Sequence, residues 1–130
     1  MKPSIAGLFA GAVLILAVPV QAHHSYAGVY SQDQRIEITG AVVELRLANP
    51  HILLRVEVTD PSGEKAVWSV DGPNTGRIRE RGWTPTSVLP GEVVTVIGNP
   101  ARNPAAHGIF GLTLTKQDGS VMPIGEVGDQ

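Results

Sequence analysis

From residue 35 onward apolar and polar side chains alternate with a period of two, and Val, Ile and Thr dominate the alternating runs. That period belongs to strands with one buried face. The first run is Arg35 to Leu47. Ile36 and Ile38 share one face, whereas Val43, Leu45 and Leu47 continue in the opposite phase. A slip of one residue turns a strand over. Gly40 stands where the phase changes, so a bulge at Gly40 that bends one long strand is expected. Asn49-Pro50 ends the run. His51 to Thr59 is a second strand, with Ile52, Leu54, Val56 and Val58 inward and Arg55 and Glu57 outward. Asp60-Pro61-Ser62-Gly63 is composed of turn-forming residues. Lys65 to Val70 is a third strand and carries Trp68.

The period then breaks. Pro73 to Arg81 has Asn74 and Thr75 near its start and Gly82 just past its end, which suits a short helix. It lacks an apolar stripe, and Trp83 behind it is expected to drop back onto the core. Glu92 to Gly98 and Ile109 to Lys116 read as a fourth and a fifth strand, separated by an exposed loop with two prolines. The class is therefore all-β with one short helix. Three strands, a helix and two strands is the order of a small five-stranded OB-like barrel. A small β-sandwich is the alternative. The position of the helix between strands three and four favours the barrel.

Residues 1–22 follow a different pattern. Lys2 precedes an apolar run from Ile5 to Val18, Pro19 breaks it, and Val20-Gln21-Ala22 places small residues where a signal peptidase cuts. The run is shorter than the about 20 residues of a spanning helix. The expectation is a cleaved secretory signal over 1–22, an N-terminal arm over 23–34, the barrel over 35–118 and a polar tail over 119–130. The mature protein would be periplasmic or secreted, with no membrane span left after cleavage. The chain has no cysteine, so neither a lipid anchor nor a disulfide is available and core packing must hold the fold. The full chain carries a formal charge of −2. Mild acidity without clustered Lys and Arg argues against nucleic acid as a partner.

Four motifs stand out: His23-His24-Ser25-Tyr26, Asn49-Pro50-His51, Trp68 in the third strand, and Arg81-Gly82-Trp83. In these the chain resembles a family of small exported bacterial proteins described only as a domain of unknown function. The resemblance spans nearly the whole mature chain. It implies export and the small β fold, and it brings no activity.

Cleavage after Ala22 would leave His23 with a free amine and His24 behind it. Amine and ring nitrogen together chelate a transition metal, and nitrogen ligands in a tetragonal arrangement favour Cu(II) or Ni(II). The amine can lose its proton near neutral pH, its ordinary pKa being about 7.7–8.0. His51, at the start of a strand near the barrel mouth, is the candidate third ligand, and His107 a fourth. Tyr26 is expected to tuck the arm against the barrel and so bring His23 and His24 toward a fixed place. The plainer account is a terminal His pair that chelates incidentally, a His51 bonded to backbone, and a solvated His107. Arg77 and Arg81 share a face if their segment is helical. They can catch an anion or simply form a solvated face with Glu80 and Glu92. Trp68 and Trp83 read as core anchors first and as a ligand-stacking platform second.

Enzyme signatures are missing: there is no cysteine nucleophile, no Gly-x-Ser-x-Gly elbow, no phosphate-cradling loop and no His-Glu-x-x-His. Asp33, Asp60, Glu64 and Asp71 sit in or near turns, and no pair of them is placed for acid–base work. The sequence thus supports a periplasmic binding protein holding a Cu(II)-type ion through His23, His24 and His51. The alternative is an envelope-associated module that binds a protein, peptide or glycan without metal. A copper oxidoreductase is a distant third.

Overall fold

A computed structural model describes residues 26–126. The segment 1–22 expected as a signal, together with His23 and His24, lies outside the described residues. Nine elements follow in order: α1 (Tyr26–Val29), β1 (Ile36–Leu47), β2 (Ile52–Thr59), β3 (Lys65–Asp71), α2 (Thr75–Glu80), β4 (Val93–Pro100), a 3-10 turn (Pro104–Ala106), β5 (Gly108–Lys116) and β6 (Val121–Pro123). The strands form one sheet in the order β3-β2-β1-β4-β5-β6. All neighbours are antiparallel, and β3 also pairs in parallel with β5. That pairing, Ser69 to Asp71 against Gly108 to Phe110, closes the sheet on itself. The protein is a five-stranded OB-like barrel with one additional strand, which sets aside the sandwich. Among the described residues no helix is long and apolar enough to cross a membrane.

Strand β1 is long because it serves two partners. Ile36 to Ala41 pair with β4, and Gly40 to Leu47 pair with β2. The expected bulge is present at a different residue. The register against β2 shifts between Val42 and Glu44, so Val43 is the extra residue. Val42 is core at 3% exposure and Val43 is outside at 42%. Gly40 does other work. A Cβ there would run into the Glu57 carbonyl group, so glycine allows β1 and β2 to approach where β1 passes from one partner to the other.

The interior is filled by Ile38, Val42, Leu54, Val56, Val96 and Leu114 from the strands, with Ile78 of α2 and Trp83 behind it. Asn74 caps α2 by accepting the Arg77 backbone N–H, as the residue type predicts. The segment expected as a polar tail contains β6. Ile124 just after it is fully buried, and Trp83 Nε1 donates to the Pro123 carbonyl at 2.7 Å. Arg81 Nη1 adds a bond to the Ile124 carbonyl at 2.5 Å. Three residues ending in proline are too short to show a period, and for that reason the alternation missed them.

A second, smaller cluster of Tyr30, Phe110 and Leu112 lies apart from the main core, with Tyr26 and Ala101 packed on it. Successive strand residues face opposite ways, so Phe110 turns from the interior that Ile109 enters. The N-terminal arm covers it.

Candidate functional site

The arm is fixed by hydrogen bonds to the end of β4 and the loop beyond. Tyr30 bridges Ala101, the Ser31 N–H donates to the Pro100 carbonyl, and the Arg102 N–H donates to the Val29 carbonyl. Arg102 Nε reaches the Ala27 carbonyl at 2.8 Å. The one turn of α1 sets Tyr26 and Tyr30 four residues apart, on the same side of a helix. Tyr26 therefore lands at the start of β2, and Tyr30 against Asp71 at the end of β3.

The Tyr26 hydroxyl lies 2.6 Å from His51 Nδ1 and donates to the Gly72 carbonyl at 3.1 Å. A phenol has one proton, and a carbonyl can only accept. The Tyr26 proton therefore goes to Gly72, and His51 must donate its Nδ1–H to the Tyr26 oxygen. That assignment follows from the hydrogen-bond network. It leaves His51 Nε2 with its lone pair, and no group among the described residues bonds to it. The ring of Tyr26 meets His51 edge-on at 5.4 Å and Phe110 at 4.9 Å between centroids. Gly72 is glycine because a Cβ would press on Ile52 and Ile124 of the core, 2.7 and 2.9 Å away. His51 itself is exposed, bridges Asn74, and follows a cis Asn49–Pro50 peptide.

Tyr30 is buried at 8% exposure and donates to Asp71 Oδ2 at 2.8 Å. Burial raises the pKa of both phenols, and the Asp71 carboxylate adds to the rise by opposing a second negative charge. Tyr26 is pushed up to about 12, and Tyr30 rises further. Both stay neutral donors through the physiological range, and Asp71 contributes a negative potential to the cluster.

His107 lies elsewhere. It ends the 3-10 turn in a left-handed conformation, and its ring sits 5.4 Å from that of Trp68. His51 and His107 thus have different aromatic neighbours, Tyr26 and Trp68. Among the described residues no three His, Asp or Glu side chains are grouped to hold a metal. Arg81 spends its guanidinium on the Ile124 carbonyl and on Glu126 at 3.6 Å, so it clamps the chain end. Glu92, expected beside these arginines, pairs with Lys116 at 3.4 Å. The carboxyls of Asp33, Asp60 and Asp118 are held below the usual range, chiefly by the hydroxyls of Ser31, Ser62 and Ser120. These are local turn bonds and no acid–base pair. Sequence reasoning named Tyr26 and His51, read Asp71 only as a carboxylate near a turn, and missed Tyr30, Gly72 and Phe110. The four-residue spacing of the two tyrosines was the available signal.

The sequence matches, over residues 12–110, a family model described as a family of unknown function, DUF6152. No curated protein matches. Among solved structures the chain is similar to the mitochondrial single-stranded DNA-binding protein Rim1 of S. cerevisiae. The two share 16% identity with a TM-score of 0.42, over 68% of this chain and 79% of that one. So distant a likeness carries nothing about ligand or partner.

Proposed function

The chain belongs to DUF6152, a family of unknown function, and on the chemistry of its own site we propose an exported, periplasmic metal-binding protein. It holds a Cu(II)-type ion through the mature terminus at His23, through His24 and through His51, and it serves copper handling without catalysis. One observation supports this reading above the others: Tyr26 is seated on His51 Nδ1. A metal-binding histidine commonly has its second ring nitrogen engaged by a hydrogen-bond partner, which fixes the tautomer and aims the lone pair. Tyr26 supplies that partner from the same arm that carries His23 and His24. His24 precedes Tyr26 by two residues, and two residues of chain span at most about 7 Å. Chain length therefore permits His24 to reach the His51 Nε2 lone pair. Asp71 adds negative charge that favours a cation.

The test is a Cu(II) titration with electron paramagnetic resonance on protein beginning at His23, beside the same protein with one added residue ahead of His23. Sub-micromolar, stoichiometric binding that requires the free amine is expected. His51→Ala should weaken it, and Tyr26→Phe should weaken it by about 10–100-fold, the usual effect of losing an outer partner. Binding that is micromolar or weaker and unaffected by the added residue would overturn the reading.

A further inference from the structure

We propose a second site, independent of the metal reading, in which the surface around Trp68 binds a neutral oligosaccharide. Trp68 is the ridge between two depressions. One, of about 460 Å³, passes Arg102 and Asn103. The other, of about 270 Å³, passes Asp60, Glu64 and His107. The larger alone lies within the about 300–1,000 Å³ of small-ligand sites. Both are open, which suits a chain that continues past the site on either side.

Trp68 is half-buried and packs on the core, yet its indole N–H has no acceptor among the described residues. The buried indole N–H of Trp83 has its acceptor in the Pro123 carbonyl, whereas that of Trp68 is not buried and stays open to a ligand. Its ring wall is extended by His107, held in the left-handed region at φ 43°. A non-glycine residue persists there only when its surroundings impose it, and such positions cluster at ligand clamps. Here the surroundings are evident: Asn103 Oδ1 accepts the Ala105 N–H at 3.1 Å, and the Ser69 N–H donates to the His107 carbonyl at 2.9 Å.

The polar groups select the ligand. Trp68 Nε1 is a donor on the ridge, and on one side of it the Asn103 amide N–H and the terminal nitrogens of Arg102, whose Nε is held by Ala27, offer more. On the other, Glu64 and the second carboxylate oxygen of Asp60, whose Oδ1 is taken by Ser62 and the Glu64 N–H, offer acceptors. Sugar hydroxyls both donate and accept, so a neutral glycan can satisfy both sides while an apolar ring face lies on the indole. A polyanion would meet Asp60 and Glu64. A peptide strand could add only to the short open edge of β3 from Lys65 to Trp68, because β3 gives its edge to β5 from Ser69 onward.

The test is an amide and indole NMR titration of the full mature protein with neutral hexasaccharides, beside an acidic oligosaccharide and an unstructured peptide. Saturable movement of the Trp68 indole N–H signal at millimolar sugar or below, with that of Trp83 unmoved, is expected. Trp68→Ala should weaken binding at least about tenfold, a common worth of a stacking ring. His107→Gly removes the ring and relieves the left-handed backbone. It should fold with unchanged dispersion and bind several-fold more weakly. No movement with any neutral sugar, movement only with the acidic sugar or the peptide, or full affinity in His107→Gly and Trp68→Ala would each overturn the proposal. None of these readouts involves a metal.

Discussion

Trp83 and Trp68 both pack against the barrel core, and they differ in what is left over. Trp83 is 2% exposed and its indole N–H is spent on the Pro123 carbonyl. Trp68 keeps part of its ring and its N–H for the outside. The difference comes from the backbone that carries each. Trp83 follows Gly82, whose positive φ of 88° ends α2 and turns the chain inward. Trp68 sits on β3 opposite Val56, just before the stretch where β5 closes the barrel, and no strand covers it there. Two identical residue types can thus be a structural plug and a surface feature in one small fold. Burial alone does not separate them as well as the fate of the polar atom does.

The largest test of this contrast is truncation. Trp83→Ala should cost about 3–5 kcal/mol, and also frees the β6 carbonyl, whereas Trp68→Ala should cost about 1–2 kcal/mol. Chemical denaturation of both variants would measure it, and equal losses would break the comparison. A finer test keeps the ring. Trp83→Phe leaves the Pro123 carbonyl without its donor and should cost about 1–3 kcal/mol. Trp68→Phe should stay within about 0.5 kcal/mol. Collisional quenching sharpens it further without mutation: acrylamide should quench Trp68 fluorescence strongly and Trp83 weakly, so a single uniform quenching constant would contradict the difference in exposure.

The arm repeats the theme in its two tyrosines, which are the only ones in the chain. Both phenols have raised folded-state values, so at neutral pH both states are un-ionised and nothing is lost. Above about pH 10 the unfolded chain ionises first. Stability should then decline as pH rises toward the Tyr26 value of about 12. Spectrophotometric titration should find little phenolate near pH 10 in the native protein, and a normal tyrosine curve there would show that the arm is not docked.

Much of this was legible from alternation. The five main strands and the short helix fall where Val, Ile and Thr repeat and where Asn74 and Gly82 punctuate. Three features were not. The bulge falls at Val43, and with Val42 and Val43 both apolar the phase does not say which is the extra residue, while Gly40 is kept small by the neighbouring strand. Strand β6 is stabilised by Trp83 and Arg81 from far upstream, and its own three residues carry no pattern. At the site, Tyr26 and His51 could be named from their motifs. Asp71 and Gly72 meet Tyr26 only because the arm crosses β5, and no local spacing records that crossing.

The parallel seam between β3 and β5 also has a kinetic meaning. It joins segments separated by α2, β4 and the proline loop, so it can form only after most of the chain is in place. Until then β3 and β5 each present an unpaired edge, the state in which chains stick to one another. With no disulfide to hold the halves together, the interval before the seam closes is when this protein is most exposed to aggregation. Dilute refolding should therefore succeed where concentrated refolding fails.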